Sequence, residues 1–355
     1  MTVENLVEIL EALVNIPSVT GQEAVIAGFV QDRLERRRTG ECVRSGEAVV
    51  WRGPGRGRPL VVLAGHLDTV PPQGNERARL RGDRLYGLGT SDMKGGDAVM
   101  LALLETLDPA RLRFDLAAVF YDGEEGPYAG NGLGRVLGGT PWLCEAALAV
   151  LLEPTDAQVE IGCNGMMNVE VRVTGRSAHA ARPWAGVNAV ERAAPWLAEI
   201  VRFPVTPVTV QGLEFRETLQ VTQLAAGRAR NVVPDELVAN LNHRFTPDRT
   251  LEQAEARLRA LVPAEFELRV VDAAPPGAVT LDRPLVREFV TRFALRVSGK
   301  QGWTDVARFS AAGIPAFNFG PGVPDLCHTA DEHCPTANLL STYDALARFL
   351  TEEEK

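Results

Sequence analysis

The chain has 355 residues, of which 45% are hydrophobic and 23% charged, and its formal net charge is −9 at pH 7. The length suggests two domains, the composition excludes a disordered chain, and the acidic balance argues against nucleic acid or an anionic membrane as the main partner. No segment approaches the roughly 18 apolar residues of a membrane span. Five cysteines without framework spacing and a start unlike a signal peptide indicate a cytoplasmic protein.

The first part of the chain alternates helical patterns with apolar runs. Helical spacing covers residues 3–14, and the capping-box pattern Thr20-Gly21-Gln22-Glu23 predicts the start of a second helix. Apolar runs at residues 60–64, 114–121 and 146–152 predict three buried strands. A glycine loop and a helix at 98–107 follow the first of these strands. This alternation is typical of an α/β fold with a mostly parallel central sheet flanked by helices.

The pattern changes near residue 165. Strict alternation predicts strands at 167–175, 217–224, 236–245 and 265–271, and helical spacing predicts helices at 186–200 and 250–261. The order β-α-β-β-α-β is that of a ferredoxin-like α+β domain. After the linker-like AAPPG, the α/β pattern resumes with helices at 284–296, 304–311 and 336–350 and a strand at 314–318. We therefore predict a larger domain formed by residues 1–164 and 276–355, with a smaller domain inserted at 165–275.

Potential metal ligands follow each of the three predicted strands of the larger domain. Ligands collect beyond the carboxyl ends of the strands in open α/β sheets, so these side chains should share one edge. Others lie in the glycine loop and in the late segment CHTADEHC. They form a nitrogen and oxygen donor set suited to zinc or a similar divalent ion. The candidates are His66, Asp68, Asp92, Glu124, Glu125, Glu153, His328 and His333.

The number of carboxylates favours two metal ions over one. A single catalytic zinc needs three protein ligands, whereas a pair about 3.5 to 4 Å apart needs a bridging carboxylate and further ligands for each ion. His66 with Glu153 and His328 with Glu125, bridged by Asp92, meet that requirement.

Two acids then remain beside this ligand set. Glu124 is placed to face the water and to act as general base. Asp68, two residues after His66, is placed to accept the other ring N–H of that histidine.

Other interpretations of the same residues exist. Glu153 could cap a loop, and Glu124 could be a solvated acid. His333 could be structural or assist near His328. Cys327 and Cys334, which bracket both late histidines, could form a structural zinc site with them, although the spacing is unlike that of a usual zinc knuckle.

Five ordered motifs, GHLDTVP, GTSDMKGG, DGEEG, EPT and HTADEH, resemble those of the dinuclear zinc family of aminoacylases, carboxypeptidases and acyl-amino-acid deacylases. The resemblance covers essentially the whole chain, including the inserted domain, which is a lid and dimerisation domain in that family. It implies a catalytic larger domain, two Zn²⁺ ions per chain for which Co²⁺ can substitute, and a homodimer. It also implies that His66, Asp92, Glu125, Glu153 and His328 are the metal ligands. Asp68 falls on the orienting aspartate and Glu124 on the general base.

The resemblance also implies residues that contact substrate. His179, in GRSAHAARPWAGVNA, falls on the histidine that reaches the active site of the partner subunit and stabilises the developing oxyanion. Asn231 and Arg244 fall on positions that hold the substrate carboxylate, and Thr304 and Arg308, in GWTDVARF, on further substrate contacts. His179 could instead be a surface histidine, and Arg244 could pair with an acid in its sheet.

The resemblance implies an amidohydrolase that removes the acyl group of an N-acyl amino acid. GWTDVARF, where many relatives read GGTSDAR, is similar to the succinyl-diaminopimelate desuccinylases of the actinobacterial type. The expected substrate is therefore N-succinyl-LL-2,6-diaminopimelate, which is hydrolysed to succinate and LL-2,6-diaminopimelate for lysine and cell-wall synthesis. N-acetylornithine or another N-acyl amino acid is the enzymatic alternative. A catalytically silent dimeric relative that only binds amino acids is the alternative of another class.

Overall fold

The computed structural model describes residues 1–37 and 40–351. The chain divides into two compact units. The large unit contains the described residues of Met1–Gly162, Thr280–Ser298 and Thr304–Lys355, and the small unit contains Cys163–Val279 and Gly299–Trp303. Within residues 1–37 and 40–351, no helix is long and apolar enough to cross a bilayer.

The helices and strands are numbered in chain order. The α-helices are α1 (Val3–Val14), α2 (Ala24–Arg36), α3 (Lys94–Thr106), α4 (Gly132–Gly139), α5 (Ala189–Ile200), α6 (Leu251–Leu261), α7 (Pro284–Phe293), α8 (Val306–Ala311) and α9 (Thr336–Leu350). The strands are β1 (Glu41–Ser45), β2 (Ala48–Arg52), β3 (Leu60–His66), β4 (Arg79–Arg81), β5 (Arg84–Tyr86), β6 (Asp115–Tyr121), β7 (Leu148–Leu151), β8 (Val159–Ile161), β9 (Gly165–Thr174), β10 (Thr206–Val210), β11 (Leu213–Ala226), β12 (Glu236–Phe245), β13 (Glu267–Ala274), β14 (Val297–Gly299), β15 (Ala316–Asn318) and β16 (His333–Pro335).

The large unit is built on a sheet of eight strands in the order β1-β2-β6-β3-β7-β15-β8-β14. Strands β6, β3, β7 and β15 run parallel to one another, β2 pairs antiparallel with β1 and β6, and β8 pairs antiparallel with β15. The three predicted apolar strands are β3, β6 and β7, which are buried along almost their whole length because helices cover them. A small sheet in the order β16-β5-β4 was not predicted; it joins a hairpin that follows β3 in the chain to a strand near the C-terminal helix α9.

Helix α3 packs against β3 and against α1 and α9. It begins at Lys94, four residues before the predicted start, and contains Gly95 and Gly96 in its first turn. A Cβ atom on Gly96 would collide with the backbone oxygen of Leu152, just beyond β7. The two glycines therefore allow a close approach of helix to sheet and do not end the helix.

The start of α2 differs from the prediction. The helix begins at Ala24 with Glu23 at its N-cap position, and no side chain caps it. The hydroxyl of Thr20 instead donates to Asp68 at 2.9 Å, so the predicted capping box at Thr20 is wrong. Capping boxes do occur at Thr2 of α1 and Thr250 of α6.

The small unit contains a sheet in the order β10-β11-β12-β9-β13, in which each of these neighbours pairs antiparallel. Without β10, this is the strand order of the ferredoxin-like arrangement, and α5 and α6 supply its helices. Strand β10 is an addition at one edge that the sequence patterns did not predict. Apolar side chains from α5, α6 and the sheet form its core. The predicted fold class is thus confirmed for both parts of the chain.

Candidate metal centre

The carboxyl ends of β3, β6 and β7 meet at one edge of the large sheet. Ala64 of β3 pairs with Leu151 of β7, so His66 and Glu153, each two residues further along the chain, lie side by side. His66 itself pairs with Tyr121, the last residue of β6, and the segment carrying Glu124 and Glu125 follows directly. The parallel register therefore brings the strand-end residues together.

Two groups of three potential ligands share one carboxylate at this edge. The ligand atoms of His66, Asp92 and Glu153 lie within 4.8 Å of one another, and so do those of Asp92, Glu125 and His328. Each group offers one imidazole nitrogen and two carboxylate oxygens. The five predicted ligands are thus brought together in two sets, with Asp92 in both.

The two oxygens of Asp92 face different histidines. Oδ1 lies 3.1 Å from Nε2 of His66, and Oδ2 lies 3.4 Å from Nε2 of His328. Nε2 of His328 also lies 2.8 Å from Oε1 of Glu125. Burial alone would raise the pKa of Asp92, but the two histidines outweigh it and hold that pKa below its usual value. Asp92 and Glu125 raise the pKa of His328 to about 10.

His66 is completely buried. Its Nδ1 lies 3.0 Å from the backbone oxygen of Asp68 and 3.5 Å from the Asp68 carboxylate. Burial lowers the pKa of His66, but Asp68 and Asp92 outweigh that effect, and the pKa is raised well above its usual value. With a proton on Nδ1 donated to the Asp68 carbonyl, Nε2 is left to face Asp92.

Asp68 holds the loop that carries Glu124 and Glu125. Its carboxylate accepts hydrogen bonds from the backbone N–H of Glu124 and of Glu125, both at 3.0 Å, and from the hydroxyl of Thr20. Asp68 is fully buried. Burial raises the pKa of Asp68, but His66 and the two backbone N–H groups together lower it by a larger amount, so the carboxylate stays ionised.

Glu124 lies beside both the first group of ligands and Glu125. Together with His66 and Glu125 it forms a third set of ligand atoms within 4.8 Å of one another. Burial raises the pKa of Glu124 well above its usual value, His66 opposes this shift, and the nearby Glu153 and Glu125 reinforce it. A carboxylate with a raised pKa is suited to accept and return a proton near neutral pH.

The donor chemistry of this edge fits divalent metal ions. Several carboxylates and two imidazoles converge in a largely buried space, and like charges packed so closely require a cation or a proton between them. The donors are nitrogen and oxygen, which suit zinc and similar ions. None of the sets found among the described residues contains a cysteine.

Three supporting residues were not predicted. The carboxylate of Glu332 accepts hydrogen bonds from the backbone N–H groups of residues 89, 91 and 92, in the loop before α3 that carries Asp92. Burial raises the pKa of Glu332 to about 7. Glu23 accepts a hydrogen bond from the backbone N–H of Gly123 at 3.2 Å, and Thr20 donates to Asp68. The only sequence signals were their positions, Glu332 inside HTADEH and the other two inside the presumed capping box.

The predicted substrate contacts Thr304 and Arg308 belong to the large unit, and both are well packed. The Thr304 hydroxyl donates to Asn318 at 3.0 Å. Nε of Arg308 donates to Asp305 at 2.7 Å, and its guanidinium lies 3.8 Å from the ring centroid of Tyr128. Asp305 is fully buried and also accepts from Asn131 at 2.8 Å.

His179, Asn231 and Arg244 belong to the small unit. His179 is exposed, and its Nδ1 accepts a hydrogen bond from the backbone N–H of Ala181 at 3.1 Å. The neighbouring residue Ala180 donates to the backbone oxygen of Asn231 at 2.9 Å, which ties the two segments together. Arg244 is half-buried in β12, and its Nε donates to Asn242 at 3.0 Å.

The late cysteines take part in other contacts. Cys334 is buried, and its thiol lies 3.6 Å from the backbone oxygen of Pro321. The thiol of Cys327 lies 3.6 Å from the backbone oxygen of Val323. The ring of His333 packs on Tyr86 with 4.6 Å between centroids.

The profile of peptidase family M20/M25/M40 matches residues 62–352, and the chain belongs to this family. It is therefore a metal-dependent hydrolase that acts on amide bonds. A Mycobacterium tuberculosis protein provisionally assigned as a succinyl-diaminopimelate desuccinylase is 40% identical over 346 residues, 97% of each chain. The succinyl-diaminopimelate desuccinylase of Corynebacterium glutamicum is 36% identical over 350 residues, 96% of this chain and 95% of its own. A tripeptidase from Staphylococcus aureus has the same fold, with a TM-score of 0.82, 19% identity and coverage of 99% and 98%.

Proposed function

We propose that the chain holds two Zn²⁺ ions, one by His66, Asp92 and Glu153 and the other by Asp92, Glu125 and His328. The observation that carries this proposal is the shared Asp92, whose two oxygens face the two histidines at 3.1 and 3.4 Å. A single ion would not need a carboxylate in that position. Co²⁺ has similar ligand preferences and can substitute for zinc.

The metal ions, when bound, polarise the amide carbonyl and lower the pKa of water. Glu124 accepts the proton of the attacking water on its carboxylate and returns it to the nitrogen of the leaving amine. Its raised pKa supports this role. Asp68 is the orienting residue, and its bonds to the backbone of Glu124 and Glu125 keep the base beside the ligands.

The proposed substrate is N-succinyl-LL-2,6-diaminopimelate, and the products are succinate and LL-2,6-diaminopimelate for lysine and cell-wall synthesis. Support comes from the two relatives at 40% and 36% identity that carry this assignment over nearly the whole chain. Asn231, Arg244, Thr304 and Arg308 are the proposed substrate contacts, and the planar guanidinium groups of the two arginines suit the carboxylates of the substrate. N-acetylornithine and other N-acyl amino acids are the competing substrates.

We further propose a homodimer formed through the inserted domain at residues 165–275. In that arrangement His179 stabilises the oxyanion in the active site of the other subunit, where one positioned donor contributes on the order of 3 kcal/mol. The exposure of His179 is compatible with this role. A cytoplasmic location, expected from the cysteine content, remains a prediction.

The test is a substrate panel on zinc-loaded protein, comparing succinyl-diaminopimelate, acetylornithine and acetyl-lysine by kcat/KM. Succinyl-diaminopimelate should be preferred by a wide margin, and a clear preference for acetylornithine would contradict the substrate assignment. Glu124→Gln should reduce kcat by at least about 10²-fold while the protein still binds about two zinc ions per chain. Retained activity would contradict the role of Glu124. An inactive wild-type protein that binds amino acids would support the catalytically silent alternative.

A further inference from the structure

Glu332 is a buried carboxylate beside the proposed metal centre, and the proposed reaction gives it no role. It lies four residues after His328 and is 1% exposed. Oε1 accepts hydrogen bonds from the backbone N–H of Ser91 at 2.9 Å and of Asp92 at 3.0 Å, and Oε2 accepts from that of Gly89 at 3.0 Å. Both carboxylate oxygens are therefore engaged by the loop that presents Asp92.

Backbone contacts strengthen the same connection. The backbone N–H of Gly87 donates to the backbone oxygen of Glu332 at 3.1 Å. The Ser91 hydroxyl donates to the backbone oxygen of His333 at 2.8 Å. The segment after His328 and the loop before α3 are thus joined at several points, and the Glu332 side chain makes three of the bonds.

The position requires a side chain with two acceptor oxygens, because three backbone N–H groups donate to it. Burying a carboxylate next to Asp92, another acid, is unfavourable unless hydrogen bonds compensate for the lost hydration. Three backbone N–H groups provide that compensation. A glutamine has only one oxygen, and its NH₂ group would face one of these backbone donors, so at least one buried N–H would lose its acceptor.

The two groups of ligands depend on this connection to different degrees. His66 and Glu153 follow neighbouring strands whose register is fixed by the sheet. His328 lies on a loop, has a left-handed backbone with φ of 62°, and its side chain is 49% exposed. The distance between the His328 ring and the Asp92 carboxylate therefore depends on the hydrogen bonds between the two loops that carry these residues.

We propose that Glu332 is a positioning residue that controls metal affinity at the group formed by Asp92, Glu125 and His328 more than at the group formed by His66, Asp92 and Glu153. Glu332 touches neither metal nor substrate and acts through the backbone of Asp92. The inference rests on the proposed two-metal centre. Residues that orient ligands in this way typically alter metal affinity by about 10- to 100-fold when replaced.

The test is a zinc titration of the metal-free full-length chain by calorimetry, with Co²⁺ absorption as a spectroscopic check. Glu332→Gln should weaken one of two binding events by about 10- to 100-fold and change the other by less than about threefold. Asp331→Asn is the matched control, because it removes the same charge from the adjacent, exposed residue. It should bind as the wild type does.

The outcomes separate the two proposals. Wild-type protein that does not bind two ions would contradict the two-metal centre itself. If the wild type binds two ions and Glu332→Gln binds both unchanged, or weakens both equally, only the role of Glu332 is overturned. The same loss in Asp331→Asn would also overturn it.

A measurement on the wild type covers the case in which the glutamine variant does not fold. In metal-free protein, the amide hydrogens of Gly89, Ser91 and Asp92 should exchange slowly, because each donates to the buried Glu332 carboxylate. Exchange of these three amides at the rate of an unstructured loop would overturn the proposal.

Discussion

Replacement of Asp68 by alanine tests how the loop with Glu124 and Glu125 is held. The Asp68 carboxylate is fully buried and accepts bonds from three donors, the Thr20 hydroxyl and the backbone N–H groups of Glu124 and Glu125, at 2.9 to 3.0 Å. Each buried donor left without an acceptor costs about 1–3 kcal/mol. The sum is about 3–9 kcal/mol, and water entering the vacated space should bring the loss to about 3 kcal/mol.

Thr20→Val is the matched comparison, because it removes one of the three donors and leaves the other two bonds in place. It should cost about 1 kcal/mol. Both variants are compared with the wild type by urea unfolding and by amide exchange at Glu124 and Glu125, in metal-free buffer so that ligand binding does not add stability. With metal restored, Asp68→Ala should lower kcat/KM by about 10- to 100-fold. Equal stability losses in the two variants, or unchanged exchange at both amides, would refute the role given to Asp68.

Three further predictions concern other parts of the chain. Burial raises the pKa of Glu217, but His243, Arg249 and Arg257 lower it by more, so the pKa in the folded state lies below that in the unfolded state. The ionised carboxylate therefore stabilises the fold above about pH 4.3, and this stabilisation is lost as the pH falls through the folded-state pKa. Glu217→Gln should therefore cost about 3 kcal/mol in urea unfolding at pH 7 and less at pH 3, and an equal loss at both would contradict the ion pairing. Thr250→Ala should destabilise by about 1 kcal/mol, because it removes the capping box of α6, and no change in the urea midpoint would argue against that cap. A thiol reagent should label exposed Cys144 first and leave buried Cys163 and Cys334 unlabelled in the native protein, as mass spectrometry of the labelled peptides can show.

Much of the fold follows from local patterns. Continuous apolar runs identified β3, β6 and β7, and the residues after them could be placed at one edge because parallel strands share their direction. Helix α9 has the predicted bounds, since an uninterrupted helical pattern follows Pro335. Hairpin β1–β2 and strand β10 were not predicted, because strands of five residues give only a weak periodic signal.

The supporting residues of the site could not be read from local patterns. Thr20 and Glu23 fit a capping box, but the same side chains bond to Asp68 and to the backbone of Gly123, more than 40 residues away. Which donors a short polar side chain finds depends on the packing of distant loops. Glu332 shows the same limit, because its partners are backbone N–H groups and leave no signal in residue types.

The order of the ligands along the chain has a consequence for synthesis. His66, Asp92 and Glu153 belong to the first 153 residues, and the strands β6, β3 and β7 beneath them are neighbours in the sheet. His328 is made much later, with the loop that contains Glu332. A domain generally folds as a unit, and β15, which pairs with β7, and α9, which packs on α3, are made after residue 315. Both proposed zinc sites are thus expected to be completed only after the C-terminal part of the large unit has been synthesised.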